Sequence, residues 1–178
     1  IFDCTDPAQR EAGIASAISA VKGGRLVVMP TDTVYGIGAD AFDGAAVAAL
    51  LAAKGRGRDM PVPVLVGSWH TIQGLVYTVP KSAQELIRAF WPGALSLVVR
   101  QAPSLQWDLG DANGTVMLRM PLHPVAIDLL REVGPMAVSS ANISGQPAAL
   151  TAGQAREQLG DLVEVYLDSG PAEPGHYT

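Results

Sequence analysis

The sequence predicts an α/β fold built on one twisted, mixed sheet flanked by helices, and three observations predict it. Short apolar, β-prone runs recur at 25–29, 62–66, 95–99, 116–120, 136–138 and 163–167. Segments with the helical spacing of apolar residues, bounded by caps and breakers, are interspersed among them. The runs at 95–99 and 116–120 have no helical pattern between them, which argues for a mixed sheet and against a purely parallel one.

The first helix follows Thr5-Asp6-Pro7, with Asp6 as N-cap, Pro7 at the first helical position and Gln9 placed for a capping box. Ile14, Ala17, Ile18 and Val21 share its apolar face, and Gly23-Gly24 ends it. Residues 25–29 then make a buried strand stopped by Pro30, and the stretch to Asp40 reads as a polar, Gly-rich loop. Asp43 caps a second helix with Val47, Leu50 and Leu51 inward, running to Lys54-Gly55. In the strand at 62–66, Pro63 argues for an edge or a bulge. A third helix over 82–90 places Ala83, Leu86, Ile87 and Phe90 inward before Trp91-Pro92-Gly93. Short helices at 124–132 and 151–159 precede the strands at 136–138 and 163–167.

Composition bounds the function classes. With 178 residues, 48% of them apolar, the chain can bury one sizeable core, and we expect a single domain over 1–178. Its formal charge of −5 disfavours a protein that coats nucleic acid through bulk electrostatics. Cys4 is the lone cysteine, which excludes intrachain disulfides and multi-thiolate zinc sites and suits a reducing compartment. No apolar run is long enough for a membrane span and no signal-peptide layout opens the chain, so a cytoplasmic location without membrane attachment is expected.

Three segments concentrate chemistry. Pro30-Thr31-Asp32-Thr33-Val34-Tyr35-Gly36 and the residues to Asp40 combine hydroxyls, a phenol, a carboxylate and flexible backbone. They read either as a small-ligand site or as a long turn capping its own backbone. The Gly36 to Ala41 run fits G-x-G-x-x-A but lies too far after its strand for a dinucleotide fingerprint, and no P-loop run exists. Lys54-Gly55-Arg56-Gly57-Arg58 puts three cations on a turn, suited to a triphosphate or, for Lys54, to the helix dipole. Ser139-Ser140-Ala141-Asn142 offers uncharged donors for phosphate or ribose oxygens, or simply a turn. Arg119, in an otherwise apolar strand, needs a carboxylate or a phosphate, and a structural ion pair is the commoner outcome. His70, His123 and His176 lack metal-ligand spacing, and His123 before Pro124 reads as a helix-starting residue.

PTDTVYGIGADA, KGRGRDMP, LRMP and SSANISGQP, in this order, resemble the YrdC/TsaC family of threonylcarbamoyl-adenylate synthases from the first helix to about Asp168. The resemblance implies a YrdC-like sheet with a deep polar cavity. There bicarbonate and L-threonine would form a carbamate that attacks the α-phosphate of ATP and expels pyrophosphate, the first step of threonylcarbamoyl-adenosine formation in tRNA. It implies Mg2+ beside the ATP phosphates and a downstream threonylcarbamoyl-transfer machinery as partner, and leaves direct tRNA contact open. By motif it implies Lys54 and Arg56 as the catalytic pair on the triphosphate, with Arg58 beside them. Thr115, Ser140 and Asn142 are implied as nucleotide contacts, and Thr33, Tyr35, Arg119 and Val138 as the L-threonine side.

Three departures from the family pattern stand out. Met60 replaces a polar or basic residue of many relatives, and Leu65 a histidine of some. The sequence from Gly170 to Thr178 shows no counterpart of the family's Ser-Thr pair and further arginine, so either that segment lies beyond Thr178 or that wall of the cavity is missing, which would weaken substrate closure. Two rival readings are a carbamoyl-transfer module using carbamoyl phosphate and a non-catalytic RNA-binding module. The single cysteine speaks against the zinc-bearing context of the first, and the acidic charge against the second.

Overall fold

The computed structural model describes residues 1–173. Its strands are β1 (Phe2–Asp3), β2 (Val27–Met29), β3 (Gly36–Asp40), β4 (Val64–Leu65), β5 (Leu97–Arg100), β6 (Thr115–Arg119), β7 (Met136–Ser140) and β8 (Val165–Asp168). The α-helices are α1 (Pro7–Lys22), α2 (Gly44–Lys54), α3 (Lys81–Phe90), α4 (Pro124–Val133) and α5 (Ala152–Leu159), with 3-10 turns at Trp69–Gly74 and Gly160–Leu162. All eight strands form one sheet in the order β1-β8-β2-β3-β7-β4-β6-β5. β8 runs parallel to β1 and β2, and β4 parallel to β6, while β2–β3, β3–β7, β4–β7 and β5–β6 are antiparallel. The mixed sheet expected from the strand spacing is therefore present, with β5–β6 as an antiparallel pair.

Local chemistry sets the helix starts. Asp6 accepts the Gln9 amide at 2.9 Å, Asp43 the amides of Ala45 and Ala46, and Thr151 that of Gln154. The capping box is incomplete, because the Gln9 side chain accepts from the Asp3 amide instead of closing on Asp6. Gly55 ends α2 in the left-handed conformation, with φ of 63°.

The sheet has two cores. One face, with Val27, Met29, Met136 and Leu167, is covered by α1 and α4 through Ala17, Val21, Leu129 and Leu130. The other, with Val28, Ile37, Val64, Leu118 and Tyr166, is covered by α2, α3 and α5 through Val47, Leu50, Ile87 and Ala155. At β5 and β6 the first face is bare. Val98 and Met117, partners across those strands, are 62% and 40% exposed.

Three expectations are corrected. The stretch read as a loop from Pro30 to Asp40 contains a central strand, β3, five residues long and buried between β2 and β7. Its glycines masked it, yet the close approach of β7 requires them: a Cβ on Gly36 would lie 2.7 Å from Val138 Cγ1. β4 is an interior strand, between β7 and β6, and Pro63 stands just before it. In α3 only Ala83 and Ile87 are buried, while Leu86 and Phe90 are 39% and 56% exposed, because the helix meets the sheet along one narrow row.

Candidate functional site

Ladder register brings distant motifs onto one face of the sheet. Leu65 pairs with Arg119 on one side and Met136 on the other, and side chains alternate along β7, so Arg119, Leu65, Val138 and Ser140 share a face. Gly36 pairs with Ser140 and adds no side chain there. The result is a cavity of about 180 Å³ walled by Leu65, Arg119, Val138 and Ser140 from that face, with Ser139, which alternates to the other face, lining it at the end of β7. Thr31, Thr33 and Tyr35 from the β2–β3 connection and Arg56 from beyond α2 complete it. All three chemistry-bearing segments of the sequence meet in it.

Arg119 forms an ion pair with Asp32, the outcome that its place in an apolar strand favours. Its Nε donates to the Gly93 carbonyl at 2.9 Å and Nη1 to Thr33 Oγ1 at 3.3 Å. Thr31 Oγ1 lies 3.1 Å from Thr33 Oγ1 and donates to the Val34 carbonyl at 2.6 Å, so this end of the cavity is held by a closed polar network.

The three cations of the basic turn have separate fates. Arg56 lines the cavity and donates from Nη1 to Ser139 Oγ at 3.2 Å, while its Nε is buried with no partner. Lys54 is 2% exposed and is not in the cavity wall. Its Nζ donates to the carbonyls of Ser140 at 2.5 Å and Asn142 at 2.8 Å, and its own carbonyl accepts from Ser144 at 2.9 Å, tying the end of α2 to the 140–144 loop. Burial, and then the Arg56 charge, pull the Lys54 ammonium down to about 8. Arg58 points to solvent and pairs with Asp108 and Asp111.

Of the other residues singled out, Thr33, Tyr35, Ser140 and Val138 line the cavity. The Tyr35 hydroxyl is already engaged, donating to the Gly170 carbonyl at 2.6 Å and accepting from the Ser169 amide at 3.0 Å, and burial raises its pKa. Asn142 is buried outside the wall, its amide donating to Ile143 and Gln146 carbonyls. Thr115 lies on the Arg119 face of β6, roughly 13 Å further along the strand, and donates to the Ala112 carbonyl at 2.7 Å. Met60 is half exposed and Leu65 is part of the wall. His123 caps α4 by accepting the Val125 amide, as its position before Pro124 suggested, and burial lowers its pKa. His70 is exposed, and His176 lies outside the described residues.

Sequence reasoning counted Asp32 and Ser139 among the parts of their segments but gave neither an individual role. The Gly93 carbonyl left no sequence signal at all. A second hollow of about 270 Å³ adjoins the first through Thr31 and Tyr35 and is lined also by Asp32, His123 and Ser169. Among the described residues no group of three or more His, Cys, Asp or Glu side chains is placed to hold a metal ion. No helix among them is long and apolar enough to cross a membrane.

Comparison with known proteins gives this geometry a context. A family model named Sua5_yciO_yrdC and described as telomere recombination matches residues 19–177. A Mycobacterium tuberculosis protein provisionally named threonylcarbamoyl-AMP synthase is 80% identical over 172 residues, which cover 97% of this chain and 79% of that one. The Bacillus subtilis threonylcarbamoyl-AMP synthase is 36% identical, over 97% of this chain and 51% of its own length. Among solved structures, Pyrococcus abyssi Sua5 bound to L-threonine aligns with a TM-score of 0.86 at 36% identity, over 89% of this chain and 47% of that one. A double variant of the same protein gives a TM-score of 0.90 at 32% identity, over 96% and 50%. The chain thus spans about half the length of the Sua5 structures it matches.

Proposed function

The chain belongs to the Sua5/YciO/YrdC family, and on that premise we propose that it makes L-threonylcarbamoyladenylate from L-threonine, bicarbonate and ATP, releasing pyrophosphate. The product is the first intermediate of threonylcarbamoyl-adenosine formation in tRNA, consumed by a downstream transfer machinery in the cytoplasm. We treat 1–178 as one domain of this kind.

The observation that carries the reading is a cavity lined by two guanidinium groups, Arg56 and Arg119, together with the hydroxyls of Thr31, Thr33, Ser139 and Ser140. Such a cavity positions two anionic groups and stabilises charge without covalent catalysis, which is what carbamate attack on a phosphoanhydride requires. Arg56, with a buried Nε–H lacking an acceptor, is suited to the triphosphate, with Ser139 and Ser140 beside it. Arg119 has five N–H groups, of which three are used, so two remain for the threonine carboxylate. Thr33 and Val138 then border the amino-acid side chain. Lys54 and Asn142 act through the loop they hold, Tyr35 through the 168–170 turn it pins, and Arg58 takes no part. Thr115 would contact only the part of a nucleotide that extends along β6. Magnesium would share the phosphate charge, held by phosphate oxygens and not by a protein cage.

Pyrophosphate release from ATP, Mg2+ and bicarbonate should depend on L-threonine, with L-serine as the control amino acid and the adenylate identified by mass spectrometry. Release that ignores threonine, or none at all, overturns the reading and brings forward the carbamoyl phosphate alternative.

A further inference from the structure

We propose that Asp32 recognises the substrate ammonium group, so that the Asp32–Arg119 pair reads both charges of an α-amino-acid zwitterion. The inference deepens the reading above and rests on it.

The pair is only partly closed off: the side chains of Arg119 and Asp32 remain 13% and 14% exposed. Both contacts made by Asp32 use the same oxygen, Oδ1, which accepts from Arg119 Nη2 and, at 3.1 Å, from the Leu122 amide. Its Oδ2 accepts from no described group. Arg56 Nε is the one described side-chain polar atom that is both fully buried and partnerless, so Oδ2 is not sealed from solvent, in keeping with the 14% exposure of its side chain. Two Arg119 N–H groups are likewise unspent. An open carboxylate oxygen and open guanidinium donors therefore stand side by side where the two hollows meet, Arg119 on one and Asp32 on the other.

An α-amino acid carries its ammonium and carboxylate on a single carbon, so the two groups can meet an adjacent anion and cation at once, with charges alternating around the contact. Three neighbouring polar groups are already engaged, and Glu173, the other carboxylate lining the Asp32 hollow, has no described contact with Arg119. Thr31 Oγ1 is bound to Val34, the Tyr35 hydroxyl to the Gly170 turn, and His123 Nδ1 to the start of α4. Arg119 alone would accept any small carboxylate. With Asp32 beside it, a carboxylate lacking the ammonium meets a neutral pair and an uncompensated negative oxygen, and is disfavoured. The pair thus selects zwitterions against hydroxy acids before any chemistry occurs.

The test measures binding by calorimetry at neutral pH without ATP. L-threonine is compared with 2,3-dihydroxybutanoate, in which a hydroxyl replaces the amine, on the wild-type chain and on Asp32→Asn, which keeps the shape and an acceptor for Arg119. We expect wild type to prefer threonine by at least about tenfold. In Asp32→Asn threonine should weaken by about tenfold or more, while the hydroxy acid, relieved of the negative oxygen, should bind at least as tightly as to wild type. ATP affinity, measured separately, checks that the variant is folded. Equal weakening of both ligands would make Asp32 a mere support for Arg119 and overturn the inference, as would an unchanged preference. Wild-type protein that binds no threonine would instead remove the proposed function itself.

Discussion

The two guanidinium groups of the cavity are placed alike and supplied differently. Arg119 is matched by a carboxylate, a carbonyl and a hydroxyl, whereas Arg56 has a single hydroxyl contact and a buried Nε–H with no acceptor. A buried donor left unpaired costs about 1–3 kcal/mol, a cost that is relieved if the guanidinium turns to bring Nε onto an arriving anion. One guanidinium is therefore neutralised and orienting before substrate arrives, and the other is cationic and incomplete. The two suit different ligands: a zwitterion at Asp32–Arg119 and a polyanion at Arg56.

Arg56→Ala breaks the comparison most directly. Turnover should fall about 100- to 1000-fold, as when a preorganised donor is lost from a reacting centre, mostly through ATP. Stability should change little, because the variant also removes the orphaned Nε. Pyrophosphate release and thermal melting check both halves, and near-normal kcat/KM would mean that the triphosphate lies elsewhere.

Arg119→Ala should behave in the opposite way. It leaves Asp32 with an uncompensated, mostly buried charge, so stability should drop by about 1–3 kcal/mol, less than for a fully buried pair. Threonine saturation should be lost in the same variant while ATP affinity persists. An Arg119→Ala chain as stable as wild type would show that the ion pair is not structural.

Lys54 sharpens the comparison through pH. Its ammonium titrates near 8 in the folded chain, against 10.5 for an unperturbed lysine. Between those values the unfolded chain holds more protons, so this group's contribution to stability rises with pH: its buried charge is unfavourable below about 8 and relieved above it. The carbonyls of Ser140 and Asn142, however, need the ammonium donors to hold their loop. Activity should thus decline as pH passes about 8 with no parallel drop in melting temperature from this group. Lys54→Met, less active throughout, should lack that decline, and a wild-type profile that stays flat well above that pH would count against a loop-holding ammonium.

These differences show what the sequence could and could not convey. Helix starts were legible because a cap is settled within four residues, as at Asp6, Asp43 and Thr151. β3 was not, because its glycines look like a loop and are explained only by β7, about a hundred residues later. The three motifs of the cavity were legible as residue types, and Arg119 as a group in need of a partner. That Asp32 is the partner, or that Gly93 supplies a carbonyl, depends on chain crossings that no local pattern encodes. In α3, periodicity found the helix but overstated its buried face, since Leu86 and Phe90 stay largely in reach of solvent.

Lys54, Arg56 and Arg58 look equivalent in sequence, and the smallest effect should come from the last. Arg58 donates to both Asp108 oxygens at 2.8 and 2.9 Å and reaches Asp111 at 3.4 Å, yet all three side chains are more than half exposed. Hydrogen bonding between them raises the Arg58 pKa and lowers that of Asp108, but solvent and salt screen such a pair. Arg58→Ala should therefore leave the melting temperature within about 1 °C and KM for ATP unchanged. A several-fold rise in KM would place Arg58 on the triphosphate after all. The turn would then have to swing inward on binding, with Gly55 and Gly57 as its pivots, and the division of labour among the three cations would fail.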